Sequence, residues 1–292
     1  MQRNRDWWSA TLWTRAKRTS ATWAGVASAI CWMAAALYSP RAEATDRPFT
    51  YTYGSDVLFP GLSELEPWTT VRAGRDNFFV QLDHRLEFEF GLSRRLQTAW
   101  YLNFSAVNQE FYNQTAGEFQ RISEFHWTGI SWEWKYKLFD SLADPIGVGL
   151  YFEPAYGPTE ASLEFKLIFD KRIGDFYAAF NAVAEQEWNF EHPGSAQREL
   201  GIEFDLGLTY FIVPQLAAGI EVRNHNEFPA GSGWEHSALF LGPVISYLPG
   251  KWWATLTVLP QLPALKKNES GSTFILDAHE RINARLIFGV HL

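Results

Sequence analysis

Residues 78–104 read FFVQLDHRLEFEFGLSRRLQTAWYLNF, and the stretch alternates between two kinds of side chain. From position 82 to position 92 the even positions are apolar apart from one histidine: Leu82, His84, Leu86, Phe88, Phe90 and Leu92. The odd positions carry charges and then a glycine: Asp83, Arg85, Glu87, Glu89 and Gly91. Because successive side chains of a β-strand point to opposite faces, this stretch predicts a strand with one apolar and one charged face.

The same period of two recurs along the chain, interrupted by turn residues. It predicts twelve strands of about ten residues, at 64–73, 82–92, 95–104, 130–138, 146–154, 161–169, 176–185, 200–210, 216–223, 236–247, 251–262 and 281–292. Short connections at 93–95, 139–145, 170–175, 211–214 and 248–250 alternate with longer ones that include 105–122, 189–197, 224–236 and 263–274.

Two architectures can use such strands. A soluble β-sandwich buries the apolar face, whereas a transmembrane barrel turns that face toward lipid. Alternation of short and long connections is typical of outer-membrane barrels, and so is an aromatic belt in the apolar register at the short-turn ends. The belt comprises Phe90, Tyr136, Phe169, Phe176, Tyr210, Tyr247 and Trp252. The last strand also ends on apolar Leu292, as in the C-terminal assembly signal of such barrels, although Phe is more common there.

These features favour an all-β fold, a transmembrane antiparallel up-and-down β-barrel of about 12 strands over residues 63–292. We expect short periplasmic turns and longer external loops. Closing the sheet removes the unpaired strand edges that lipid could not satisfy.

The first 44 residues have the order of a secretory signal peptide. Five basic residues between positions 3 and 18 precede the uncharged run TWAGVASAICWMAAALYSP at 22–40, and Ala42-Glu43-Ala44 fits the small-x-small cleavage rule. An uncleaved membrane anchor is the alternative. The sequence therefore predicts export and residence in the outer membrane of a Gram-negative cell.

Charge and cysteine content exclude several classes of protein. The formal net charge is −8, and removal of the predicted leader, which carries +4, leaves −12. Such a chain is poorly suited to bind nucleic acid. The only cysteine, Cys31, lies in the leader, so the mature chain has neither disulfides nor thiolate ligands.

Two stretches carry a family resemblance: YTYGSDVLFPGLSELEPW at 51–68 and RLEFEFGLSRRLQTAWYLNF at 85–104. They resemble uncharacterised proteobacterial outer-membrane barrel proteins. Several such families open with proline, glycine and two glutamates before the first strand, and Pro60, Gly61, Glu64 and Glu66 take those places here. The resemblance implies an architecture and a location, and it brings no catalytic residues, because the family has no assigned activity.

The charged face of the strands is expected to line the lumen. The predicted lumen-lining residues are Asp83, Arg85, Glu87, Glu89, Glu133, Lys135, Glu164, Lys166, Glu203, Asp205, Glu221, Arg223, Arg281 and Arg285. They would form the wall of a pore for polar solutes, or a lumen closed by its own salt bridges. Residues 45–62 precede the barrel and are predicted either to remain in the periplasm or to enter the lumen as a plug.

Seven histidines are scattered without the spacing of a metal-binding motif. His192, His225 and His236 lie in or near external connections and could meet at the external rim, but the spacing does not favour a metal site there, and no metal, cofactor or catalytic residue is predicted. His84, in the apolar register, invites comparison with a lipid-cleaving barrel enzyme that carries Ser and His on its outer wall. No serine motif of that enzyme is visible, and a solvated rim histidine is the favoured interpretation of His84.

The sequence thus favours a narrow pore or binding barrel for small polar solutes. The alternatives are a closed barrel with a structural or surface-interaction role and, less favoured, an outer-membrane lipid-modifying enzyme. The expected partners are outer-membrane lipid, the barrel-assembly machinery during biogenesis and a small polar solute.

The leader provides the first prediction. Because cleavage should follow Ala44, the mature protein extracted from membranes should begin at Thr45. N-terminal sequencing checks this, and recovery of Met1 would instead identify the segment as a retained anchor.

Overall fold

The computed structural model of the protein describes residues 46–113, 117–190, 197–269 and 271–292. The predicted signal peptide lies outside these residues. Among them no helix is both long and apolar enough to cross a membrane. The twelve strands are β1 (Ser63–Ala73), β2 (Phe79–Gly91), β3 (Leu96–Asn113), β4 (Glu118–Phe139), β5 (Gly147–Tyr156), β6 (Glu160–Ile173), β7 (Phe176–Asn189), β8 (Gln197–Val213), β9 (Leu216–Pro229), β10 (His236–Tyr247), β11 (Trp252–Lys266) and β12 (Ile282–His291).

The strands form one closed antiparallel barrel in which each strand pairs with its neighbours in sequence. The first and last strands complete the ring, with β1 antiparallel to β12 from Glu64 opposite His291 to Ala73 opposite Ile282. The prediction of a twelve-stranded up-and-down barrel is confirmed, and the β-sandwich is excluded. We call the end where β1 begins and β12 ends the terminal end, and the other the distal end.

The two faces of the wall are inverted relative to a soluble protein. Large apolar side chains point outward and are exposed, among them Phe165 at 53% and Phe204 at 42%. Carboxylates point inward and are buried, among them Glu66 and Glu133, both at 0%. An exterior of this kind is stable only against an apolar surrounding, whereas the polar interior satisfies its groups internally.

The aromatic residues predicted to form a belt lie at the terminal end of the wall. Phe176 contacts Tyr210 across β7 and β8 with ring centroids 4.9 Å apart. The ring centroid of Trp252 lies 5.5 Å from that of Tyr247 and 5.6 Å from that of Phe288. Amphipathic rings of this kind prefer the boundary between lipid and water.

The distal connections differ from the expected long loops because several strands are longer than expected. Residues 105–122 were expected to be a connection, but β3 continues to Asn113 and β4 begins at Glu118. Likewise, β9 continues to Pro229 through part of the expected connection at 224–236. A hairpin ladder satisfies its backbone in water as well as in lipid, so pairing can continue beyond the apolar band.

Phe204 tests the outward face. It lies in mid-strand, opposite Ala182 and Asn224, and is well exposed. If this face meets lipid, Phe204→Arg should lower the free energy of unfolding in lipid vesicles by roughly 2–4 kcal/mol.

Phe119→Arg is the matched control. This residue is also exposed, but it lies near the distal tip of the β3–β4 hairpin, opposite Tyr112. Arginine is tolerated outside the apolar band, so the control should unfold with near wild-type stability. Equal stability of both variants and the wild type would contradict the assignment of the outer face.

Candidate functional site

Residues 46–62, which we call the plug segment, lie inside the barrel except for their exposed end at Phe59, Pro60 and Gly61. They contain no strand or helix, yet most of their side chains are buried: Arg47, Phe49, Thr50, Tyr51, Thr52, Tyr53, Ser55, Val57 and Leu58. Of the two places that the sequence left open for this segment, these contacts are those of a lumen plug. Buried irregular backbone needs partners for its polar groups, so the partners decide how the segment is held.

The most concentrated contact is made by Glu221 on β9. Its carboxylate accepts hydrogen bonds from three successive backbone N–H groups, those of Thr50 at 3.3 Å, Tyr51 at 2.7 Å and Thr52 at 2.6 Å. Two hydroxyl groups also donate to it, that of Thr257 at 2.7 Å and that of Thr50 at 3.4 Å. Charge-assisted bonds of this kind are stronger than those between neutral groups. Glu221 thus fixes the middle of the plug segment to the wall.

Two neutral amides complete the attachment of the backbone. Asn181 accepts a hydrogen bond from the N–H of Tyr53 at 2.6 Å and donates one to the Tyr53 carbonyl at 2.9 Å. Gln97 accepts one from the N–H of Leu58 at 2.9 Å. Side chains of the wall therefore take the role that a neighbouring strand has elsewhere. Only at the end of the plug segment do Gly61 and Leu62 form backbone hydrogen bonds with the wall, at Gly91.

Near the terminal end, Arg47 anchors the start of the plug segment. Its guanidinium lies 3.4 Å from the Glu66 carboxylate, and it stacks over the rings of Tyr53 at 4.0 Å and Trp68 at 4.6 Å. The Thr255 hydroxyl donates to the Arg47 carbonyl at 2.5 Å. One cation of the segment thereby offsets part of a buried acidic region of the wall.

Tyr51 lies where the segment meets arginines of the wall. Its hydroxyl donates to Asn283, and the Arg285 guanidinium stacks over its ring at 3.8 Å. Burial raises the pKa of Tyr51 to about 12, so the phenol stays neutral and can donate. Arg285 also donates to the Thr50 carbonyl at 3.3 Å and to the Thr70 hydroxyl at 2.9 Å.

Inward-facing glycines make room for the segment. A Cβ atom added at Gly207 would lie 2.6 Å from the Phe49 ring, and one added at Gly149 would lie 3.3 Å from the Ser55 Cα. The Phe49 ring stacks on Tyr177 with 5.7 Å between centroids. Glycine is the residue that permits such a close approach. The wall is therefore shaped to hold this segment.

Two cavities lie within the barrel, and they share no lining residue. The distal cavity, which we call the vestibule, has a volume of about 910 Å³ and is lined by polar and aromatic groups. Two ion pairs lie on its wall, one between Arg72 and Asp83 and one between Arg85 and Glu153, each with a nitrogen–oxygen distance of 2.5 Å. The other cavity, about 470 Å³, is bordered by the plug segment itself.

Thirteen of the predicted lumen-lining residues lie on strands with their side chains directed inward, and Arg281 does not. Asp83, Arg85 and Arg285 line the vestibule; Glu87, Glu89, Glu133, Lys135, Asp205 and Glu221 are buried; and ion pairs join Glu164 to Lys166 and Glu203 to Arg223. Arg281 lies outside the strands, because β12 begins one residue later. Its side chain is exposed, and its guanidinium lies over the Phe274 ring, 3.5 Å from the ring centroid.

Sequence reasoning missed the uncharged partners of the plug segment, Gln97 and Asn181, because it searched the inward face for charges. Their position in the inward register was the available signal. His84 lies on the outer face as expected, and its Nδ1 is 3.1 Å from the Thr69 hydroxyl. Its neighbour is a threonine rather than the serine of the barrel enzyme considered above.

The histidines meet differently from the expected group. His225 and His236 do come together at the distal end, but the third member is His279. His192 lies outside the described residues. His279 comes from the long connection before β12, whose path is not encoded in strand periodicity.

Residues 41–292 match the model of a family of unknown function, DUF6662. The chain belongs to this family. Among solved structures, it resembles the COG4313 outer membrane channel from Pseudomonas putida F1, with a TM-score of 0.61, 11% identity and coverage of 84% of this chain and 100% of that one. At this identity the likeness concerns the fold.

Two further structures are less similar. The NanC porin gives a TM-score of 0.47 at 11% identity, with 78% of this chain and 99% of that chain covered. The β domain of the Bordetella autotransporter BrkA gives 0.49 at 9% identity, with coverages of 80% and 100%. A comparison with curated proteins found no match.

Glu221→Ala tests how this family member holds its plug segment. Each hydrogen bond to a charged group contributes roughly 1.5–3 kcal/mol to stability. The loss of even one therefore corresponds to about a tenfold rise in the fraction of molecules whose plug segment is detached from the wall. Chymotrypsin should then cleave after Phe49, Tyr51 or Tyr53 about tenfold faster than in the wild type, as followed by mass spectrometry of the folded barrel.

Glu185→Ala is the control, because Glu185 is a carboxylate that lines the vestibule on the distal side of the plug segment. It should leave the cleavage rate unchanged. If cleavage of the plug segment is equally slow in both variants, Glu221 is not what holds it.

Proposed function

We propose that this protein is an outer-membrane channel for small polar solutes and that the plug segment is its gate. The apolar exterior and the aromatic belt at the terminal end support residence in a lipid bilayer. With the short turns in the periplasm, the terminal end faces the periplasm and the vestibule opens to the outside. A predicted signal peptide and the likeness to a solved outer membrane channel are consistent with this orientation and role.

The observation that carries the proposal is the manner in which the lumen is closed. The lumen holds two cavities and a segment that is held by side chains such as Glu221, Asn181 and Gln97. Backbone pairing with the wall is limited to the end of the segment, where Gly61 and Leu62 bond to Gly91. Side-chain attachments can break one by one, whereas removal of a wall strand would open the barrel. A segment of this kind is suited to a transition between closed and open states.

The vestibule supports the class of solute. Its wall carries both arginines and carboxylates, joined in ion pairs such as Arg85 with Glu153. Paired charges of both signs suit small hydrated solutes and provide no apolar duct for fatty acids. Lipid and the barrel-assembly machinery remain the expected partners in the membrane, and the vestibule offers no basic surface for nucleic acid.

The second candidate is a closed barrel with a structural or surface-interaction role. The density of contacts around the plug segment favours it, since Arg47, Glu221 and Asn181 all keep the lumen shut. The two candidates differ in whether the segment moves.

A reversible lock distinguishes them. In the double variant Ser55→Cys with Gly149→Cys, the new side chains lie within disulfide reach, because a Cβ at Gly149 is 3.3 Å from the Ser55 Cα. In planar bilayers the oxidised variant should show background conductance only. Reduction should restore the conductance of the wild type, and Glu221→Ala should conduct more than the wild type because its gate is loosened.

The single variant Ser55→Cys controls for the oxidant and should conduct under both conditions. If Glu221→Ala exposes the plug segment to protease yet remains silent in bilayers, the lumen is closed by its wall. The closed barrel would then replace the channel.

A further inference from the structure

Four side chains with metal-ligand chemistry converge at the distal end of the barrel. His225 and Glu227 lie two residues apart on β9 and so face the same side. His236, the first residue of β10, is opposite Glu227 in the ladder. His279 joins them from the connection between β11 and β12. Three separate parts of the chain thus contribute to one cluster.

One ligand atom each from His225, Glu227 and His279 lie within 4.8 Å of one another, and His236 adjoins this group through the second oxygen of Glu227. His279 Nε2 lies 2.9 Å from His236 Nε2 and 3.1 Å from a Glu227 oxygen. The Nε2 atoms of His225 and His236 each lie 3.4 Å from a Glu227 oxygen. Ligand atoms about 2.1 Å from a tetrahedral ion are separated by about 3.4 Å, so an ion can enter this space with small side-chain shifts.

The tautomer of His225 is suited to ligation. Its Nδ1 lies 2.8 Å from the Glu203 carboxylate, so the neutral imidazole keeps its proton on Nδ1 and directs the lone pair of Nε2 toward the cluster. Glu203 is itself held by Arg223 at 2.6 Å. A carboxylate behind the distal nitrogen of a ligating histidine is the usual support of a metal site.

His236 is the most buried member of the cluster, and its side chain is 1% exposed. Its Nε2 contacts His279 and Glu227, while its Nδ1 has no hydrogen-bond partner among the described residues. The polar contacts of this imidazole are therefore made through Nε2, the nitrogen that faces the other members of the cluster.

We propose that His225, Glu227, His236 and His279 bind one divalent transition-metal ion with zinc-like preferences. Three imidazoles and one carboxylate suit Zn²⁺, whereas Ca²⁺ and Mg²⁺ require oxygen ligands. Four protein ligands form a closed site, so the ion acts as a clamp that holds the β11–β12 connection to the distal rim. This inference is independent of the channel function.

The test is titration of the metal-free, folded, full-length barrel in detergent with Zn²⁺ alone. Isothermal calorimetry should show one saturable site per chain that excess Mg²⁺ does not compete for. Co²⁺ should give the intense visible absorption of a tetrahedral imidazole site in the wild type, a readout that requires no variant. Absence of both signals would overturn the proposal.

The variants assign the site to these residues. His279 lies outside the strands, so His279→Ala should leave the barrel folded. This variant should abolish the cobalt spectrum. Glu203→Gln, which weakens the support of His225 and leaves all four proposed ligands in place, should weaken Zn²⁺ binding roughly 10–100-fold. His84→Ala, a histidine on the outer wall, is the matched control and should bind as the wild type does. Equal binding by His279→Ala and the wild type would place the metal elsewhere and refute the site.

Discussion

Closure of the sheet between β1 and β12 is the constraint on which the rest of the structure depends. In lipid the backbone of a spanning segment must find its partners within the protein, and a sheet does so only when it has no edge. The pairing from Glu64 with His291 to Ala73 with Ile282 removes that edge. Once the ring is closed, every strand must turn its apolar face outward, and the charged residues become the interior.

A charged interior then creates a second requirement, which the plug segment meets. Buried carboxylates such as Glu66 and Glu221 are costly unless they are paired or hydrogen-bonded. Arg47 supplies a cation to the first, and three backbone N–H groups supply donors to the second. The wall and the segment thus satisfy each other, which explains how an irregular stretch of chain can be among the most buried parts of the molecule.

At the distal end the side chains are subject to different constraints. There the hairpins extend past the apolar band, and their side chains are free of the requirement for a lipid-facing exterior. The vestibule with its paired charges and the cluster around Glu227 both lie in this region. Specific chemistry is concentrated where strand pairing supplies a rigid frame but lipid no longer dictates the side chains.

The sequence by itself determined the strands and their faces, because a period of two in apolar residues follows directly from strand geometry. Leu86 and Glu87 could be assigned to opposite faces from their positions alone, and this assignment implied a closed barrel. The sequence did not predict how far the strands extend at the distal end. A largely polar stretch such as 105–113 is as compatible with a loop as with a strand.

Tertiary structure alone decided where the plug segment lies and which histidines meet. Phe49, Tyr51 and Tyr53 alternate like a strand, but Tyr51 bonds to Glu221 and Tyr53 to Asn181, each more than a hundred residues away. His279 reaches His236 through a connection without periodicity. Contacts across the lumen depend on ring closure and on the register of all twelve strands, and such long-range geometry leaves no local pattern in the chain.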